Sequence, residues 1–289
     1  MCYQARLVSH VYTVEAVVRH DELDCFGRMH PAAYLRHLAH AAVLASTAAG
    51  YDPEWYARAG AMWFVRRSTM DVERHARLAE PLTIRTWVED VRRVRSHRRY
   101  EVLGADGARR LTALTDWVYV DAETQRPRRV PPEMEAALGT AGAARERAPW
   151  SAPSPPAAPA VARHRVAMHE VDSIGHVNNA AYLDFIGQAT LDALAAAGHP
   201  LDRCIAAGAV PVLVRADVEY LDGARYGDDL SVATWFTVAG DALDAHHAVL
   251  RDTSERPLVR AATRWRWTDP TGTGHHPLPH DLAARLRSA

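Results

Sequence analysis

The sequence predicts an α+β protein built from two tandem copies of one unit, each a long helix wrapped by an antiparallel sheet. Three observations predict it: a long internal repeat, an apolar helical run after a polar turn in each copy, and a set of alternating segments after each helix.

The repeat comes first because it sets the domain organisation. "ELD" at 22–24 matches "EVD" at 170–172, and Tyr34-Leu35 matches Tyr182-Leu183 at the same offset. "MDVER" at 70–74 matches "ADVEY" at 216–220, and "ARLAEPLTIRTW" at 76–87 matches "ARYGDDLSVATW" at 224–235. Thr115 and Trp117 match Thr263 and Trp265, and Asp121 and Pro131 match Asp269 and Pro279. The offset stays between 146 and 148, which indicates duplicated domains and not a solenoid of short repeats. A Pro/Ala-rich stretch separates the copies and reads as an extended linker. The expected domains are 1–148 and 163–289, joined by a linker over 149–162.

Within each copy a short strand leads to a polar turn and then to a helix, "AAYLRHLAHAAVLASTAAG" in the first and "AAYLDFIGQATLDALAAAG" in the second. Apolar residues fall at helical spacing and nearly all round, as a buried helix requires. Gly50 and Gly198 stop the two helices. The following loops, "YDPEWYARAGAMW" and "HPLDRCIAAGAVP", are expected to vary. Segments such as "VPVLVRADVEYL", "LSVATWFTVAG", "DAHHAVLRD" and "VRAATRWRWTD" then alternate in the way of antiparallel strands. One long helix and about five strands per copy suggest a sheet wrapped around a helix.

The chain has 289 residues, enough for one large domain or two small ones with full cores. Hydrophobic residues make up 48% and charged residues 24%, an ordinary globular balance. No apolar run spans a bilayer, and the first residues lack the core of a signal peptide, so a cytoplasmic location is expected. All 34 basic residues are arginine and the net charge is −1, without the basic tract and aromatics of a nucleic-acid binder. The densest cluster, "RRVRSHRR" at 92–99, reads as a solvated strand or hairpin, or else as a dock for the phosphates of coenzyme A or a carrier-protein arm. Cys2, Cys25 and Cys204 form neither a disulfide framework nor a zinc pattern, and Cys25 reads as a small apolar filler. "HHPLPH" at 275–280 has no paired acid or cysteine set, so no metal is expected.

"DSIGHVNNAAY" at 172–182 carries the chemistry. An acid, a glycine turn, a histidine and two asparagines stand directly before the helix, where unpaired N–H groups and the positive dipole end lie. The motif Asp-x-x-Gly-His-Val-Asn-Asn-x-x-Tyr, with "VEYLDGARYGDDLSVAT", resembles the hotdog-fold thioesterases. The nearest likenesses are the acyl-ACP thioesterases and the bacterial acyl-CoA and 4-hydroxybenzoyl-CoA thioesterases. The resemblance spans roughly 14–135 and 164–280, specific in the second copy and looser in the first, and implies a double hotdog that forms its paired unit within one chain.

That resemblance implies hydrolysis of an acyl thioester on acyl carrier protein or coenzyme A, without cofactor. Asp172 would be general base or nucleophile. His176 would orient the acid or assist a proton transfer, or else only bond the turn. Asn178 would hold water or substrate, and the amide near Asn179 would be the oxyanion donor. Tyr182 recurs as Tyr34, which favours packing. From the first copy, Trp63, Arg66, Arg67 and Ser68 are the candidates for substrate contact. The expected partners are the acyl thioester and its carrier, with neither nucleic acid nor membrane, and double hotdogs can assemble further into homo-oligomers.

Two departures stand out. Ile174 replaces the asparagine that plant-type relatives place two residues after the acid, and Gln188 replaces a glutamate that often follows the tyrosine, with His40 in the first copy. The first copy, "DCFGRMHPAAY" at 24–34, keeps Asp24 but has Arg28, His30 and Pro31 where the second has His176, Asn178 and Asn179. Pro31 has no N–H, so the first copy is expected to keep the helix start and lack the chemistry. A hotdog dehydratase or a cyclase on a carrier-bound chain is the alternative enzyme. Its hydratase form sets Asp and His five apart, against four (Asp172 to His176) and six (Asp24 to His30) here. A non-catalytic acyl-thioester-binding protein is the alternative outside enzymes.

Overall fold

The computed structural model of the chain describes residues 5–8, 10–140 and 148–288. It divides into two compact units, Met1–Pro149 and Trp150–Ala289.

In unit one, β1 (Ala5–Val8) and β2 (Val11–Val17) precede the turn and helix α1 (Pro31–Ala48). Helix α2 (Pro53–Ala59), strands β3 (Ala61–Val72), β4 (Pro81–Arg92), β5 (Arg95–Gly104) and β6 (Arg109–Asp121), and helix α3 (Pro132–Leu138) follow. The strands pair antiparallel in the order β1-β2-β4-β5-β6-β3. Helix α1 lies on β2 and β4 and buries Tyr34, Leu35, Leu38 and Ala41. Period-two alternation puts Leu82 and Ile84 of β4, Tyr100 and Val102 of β5, and Leu111 and Ala113 of β6 into the core.

Unit two repeats the plan. Strand β7 (Ala160–Arg165) leads to helix α4 (Asn179–Ala196) and helix α5 (Leu201–Ala206). Strands β8 (Val210–Tyr220), β9 (Asp229–Ala239), β10 (Ala242–Arg251) and β11 (Pro257–Thr268), the short β12 (His275–His276) and helix α6 (His280–Ser288) complete it. The order is β7-β9-β10-β11-β8, with β12 on the end of β11. Helix α4 lies on β7 and β9. The register confirms the equivalence: Thr86 faces Tyr100 as Thr234 faces His247. His247 is buried against Thr234 Oγ1 (3.1 Å) and Thr263 Oγ1 (3.2 Å), and the indole of Trp265 donates to the same Thr263. Burial and the neighbouring His246 pull the His247 pKa down to about 3, so the ring is neutral.

Several elements differ from the sequence reading. Strand β7 begins at Ala160, inside the stretch assigned to the linker. The two variable loops each fold a short helix. Asp52 caps α2 by accepting from Trp55 N–H at 2.7 Å, Pro53 takes its first turn, and Gly60 ends it in the left-handed region at φ 58°. "RRVRSHRR" is the β4–β5 hairpin, but Arg98 is buried at 7% exposure, so the cluster is not wholly solvated. Cys25 is exposed in the first-copy turn and therefore no apolar filler, whereas Cys204 is buried. No helix among the described residues is long and apolar enough to cross a membrane.

Candidate active site

The polar turn of unit two is a closed loop on a small bridge. Val171 pairs with Val177, Asp172 N–H donates to His176 C=O (2.9 Å), and Gly175 N–H donates to Asp172 C=O (3.0 Å). Gly175 has φ +84°, a conformation that a side chain disfavours. Asp172 is half-buried, and its Oδ1 accepts from Ile174 N–H at 2.9 Å. Among the described residues this is the one hydrogen bond to the carboxylate, so Oδ2 is left to act.

Helix α4 starts directly after this loop. Asn178 is its cap: Oδ1 accepts from Ala180 N–H at 3.0 Å, while Asn178 N–H donates to Glu170 C=O at 2.8 Å. Asn179 is the first helical residue, and among the described residues its N–H has no acceptor. The first amides of a helix have no partner inside it, and here one is presented beside the acid turn at the positive end of an 18-residue helix. Tyr220 OH donates to Asn179 C=O at 3.0 Å and fixes that peptide. Tyr182 OH accepts from Ala224 N–H at 2.8 Å, and Val177 N–H donates to Ala224 C=O at 2.8 Å, which ties loop and helix to the approach of β9. Burial raises the Tyr182 pKa to about 12 and that of Tyr220 further, so both phenols hold structure and neither supplies protons.

His176 is half-buried against Gly223. A Cβ at Gly223 would lie 2.8 Å from His176 Cγ, so the glycine provides the room in which the imidazole sits. Behind the loop, Glu170 Oε2 accepts from Ala167 N–H (2.8 Å) and pairs with His164 Nε2 (2.9 Å), whose ring stacks on Phe185 at 4.0 Å.

Unit one has the same scaffold around different chemistry. Leu23 pairs with Met29, and Gly27 turns at φ +68°. Tyr34 OH accepts from Ala76 N–H at 2.7 Å, as Tyr182 does from Ala224. Asp24 is fully occupied, however. Its Oδ1 accepts from Phe26 N–H and Arg28 N–H, both at 2.9 Å, and its Oδ2 pairs with Arg28 Nε at 2.9 Å. His30 caps the helix without a side-chain bond, and Pro31 is the first helical residue. His75 stands at the position of Gly223, and its Nδ1 lies 3.2 Å from Met29 C=O. In the same way His37 on α1 meets Glu22 at 2.8 Å, the task that His164 performs for Glu170 from β7.

The structure therefore gathers Asp172, His176, Asn178 and Asn179 into one loop and helix start. Trp63, Arg66, Arg67 and Ser68 all lie within β3 of unit one. Trp63 Nε1 donates to Tyr56 OH (3.1 Å), Arg67 donates to Ala148 C=O (2.9 Å), and Ser68, 3% exposed, meets Thr115 Oγ1 (3.3 Å). Gln188 is exposed and donates to Asp192 one turn on, away from the loop. Sequence reasoning missed Tyr220 and Gly223. Both were visible as differences between the copies, Tyr220 against Arg74 and Gly223 against His75.

Residues 9–138 match the acyl-ACP thioesterase N-terminal domain, and residues 166–286 match the thioesterase-like superfamily. The two matches fall one in each half of the chain, and both are to thioesterase families. No curated protein matches it by sequence. An acyl-ACP thioesterase from Bacteroides thetaiotaomicron superposes with a TM-score of 0.74 at 19% identity, over 89% of this chain and 98% of that one. The 12:0-ACP thioesterase from Umbellularia californica gives 0.74 at 17% identity, over 90% and 95%. At these identities the likeness establishes the double-hotdog fold.

Proposed function

We propose that the chain hydrolyses acyl thioesters carried on acyl carrier protein or coenzyme A, and that the reaction takes place at the loop and helix start of unit two. What supports this most is one juxtaposition: a carboxylate with an uncommitted oxygen, Asp172, on the turn that leads into an uncommitted amide, Asn179 N–H.

In this reading Asp172 takes a proton from water as the water oxygen bonds to the thioester carbon. In the nucleophilic variant Asp172 attacks that carbon itself and water cleaves the resulting anhydride. Either way the carbonyl oxygen becomes an oxyanion, and the Asn179 amide with the positive end of α4 stabilises it. The C–S bond then breaks and the thiolate leaves, taking up a proton. His176 positions the acid or passes that proton. Asn178 holds the helix start through Oδ1 and offers its NH₂ to water or substrate. Unit one does not catalyse, because Arg28 occupies Asp24 and Pro31 has no N–H.

Release of free thiol from a panel of acyl-CoA and acyl-ACP substrates tests the assignment. Multiple turnovers with either carrier are expected. Tight binding without release would make the chain an acyl-thioester-binding protein, and loss of water from a 3-hydroxyacyl substrate would make it a dehydratase.

A further inference from the structure

Arg98 of unit one is a buried charged residue that neither the fold nor the proposed reaction uses. It lies on β5, where Ser96, Arg98, Tyr100 and Val102 point inward and alternate with half-exposed neighbours. The side chain is buried at 7% exposure. Its hydrogen bond among the described residues is a long one, from Nη1 to Thr86 Oγ1 at 3.3 Å. No carboxylate pairs with it among those residues, and the titratable groups acting on it are the phenols of Tyr100 and Tyr56. Arginine stays charged at any working pH, so this is a buried cation without a counter-charge.

The fold does not demand it. Arg98 faces Val88 across the β4–β5 ladder, and the equivalent pair in unit two is apolar, a half-buried Phe236 with a buried Ala245. A buried charge without a partner opposes folding, and an apolar residue in its place is often the more stable choice. The surroundings are polar as well. Tyr56 OH meets Ser46 Oγ at 2.9 Å and accepts from Trp63 Nε1 at 3.1 Å. Tyr56 and Trp63 are half-buried and pack on the cluster that contains Val88, the residue that Arg98 faces across the ladder.

We propose that Arg98 and the Tyr56–Trp63 pair form a ligand site in unit one for the carboxylate of an organic acid. A guanidinium presents two parallel N–H donors that match a carboxylate, and one cation balances one negative charge. A phosphate dianion would leave a negative charge unbalanced in the same buried place. The aromatic rings favour an acid with an apolar body over a small hydrated anion. The site shares no residue with the Asp172 loop and involves no turnover, so its test is independent of the hydrolytic reading.

The test is titration of the full chain by calorimetry and by quenching of tryptophan fluorescence, with octanoate, octan-1-ol and inorganic phosphate as probes. Octanoate is expected to bind at least about tenfold more tightly than octan-1-ol, and phosphate not to compete. Arg98→Met should lose octanoate by at least about tenfold and should melt no lower than the wild type when free of ligand. Arg98→Lys should keep part of the affinity, since the charge stays and the fork is lost. If Arg98→Met does not fold, the wild-type probes and Arg98→Lys decide. Unchanged octanoate affinity in Arg98→Met or Arg98→Lys, equal binding of octan-1-ol, competition by phosphate, or no octanoate binding by the wild type would each overturn the proposal.

Discussion

Arg28 Nε holds Asp24 Oδ2 at 2.9 Å, and its own backbone N–H holds Asp24 Oδ1 at the same distance. The equivalent acid of unit two, Asp172, has His176 at that position and accepts only from Ile174 N–H among the described residues. One substitution four residues downstream thus separates an acid that serves the fold from one that is available for chemistry.

The first prediction concerns stability. Arg28 is 5% exposed in its side chain and Asp24 24%, so Asp24→Asn removes the counter-charge of a buried cation. Denaturant unfolding should show a loss of about 1–3 kcal/mol. An unchanged midpoint would mean that Arg28 is held by something other than Asp24.

The second concerns Gly223. Alanine there places Cβ 2.8 Å from His176 Cγ and must displace the ring. The melting temperature should change little, while kcat should fall at least about tenfold through misplacement of the imidazole. His176→Ala should cost about as much, and the double variant no more than the worse single one, because both act through one ring. Additive losses would show that Gly223 acts on something else.

The third concerns the helix start. Asn179→Pro gives unit two what Pro31 gives unit one. The helix does not use that amide, so melting should hold, while kcat should fall roughly 10²–10³-fold with the loss of an oxyanion donor. The split should favour kcat over KM, since the charge exists only in the transition state. A folded variant with normal turnover removes Asn179 N–H from the account.

The fourth is a pH dependence. Burial, followed by the neighbouring His246, holds His247 near pKa 3, below its ordinary 6.5. The unfolded chain then binds the proton that the folded chain refuses. Stability from this group is complete above about pH 6.5 and falls as pH drops toward 3, by up to about 1.4 kcal/mol per pH unit. His247→Gln should flatten that acid limb in melts recorded from pH 7 to 4. An unaltered slope would contradict a neutral buried His247.

The repeat made the architecture legible, because matched pairs such as Trp87 with Trp235 fix which strands correspond before any is placed. The acid turn was legible because Asp172, Gly175 and Asn178 are residues that turns and caps require at that spacing. The short helices α2 and α5 were harder, since six or seven residues carry too little periodicity to separate helix from loop. The partnerships were harder still. Nothing in the sequence says that Arg28 folds back on Asp24, that Gly223 makes room for His176, or that Arg98, alone among the arginines of its cluster, turns inward. Those depend on contacts between segments up to 47 residues apart.

The most direct measurement is the kinetic comparison of Asp172→Asn with Asp24→Asn on one acyl-thioester substrate, with melting curves for both. The account predicts a fold-competent Asp172→Asn variant whose kcat is lower by about 10²-fold or more, as expected for loss of a general base, and an Asp24→Asn variant that turns over normally despite its lower stability. Loss of turnover in folded Asp24→Asn with Asp172→Asn active would contradict it and move the chemistry to unit one.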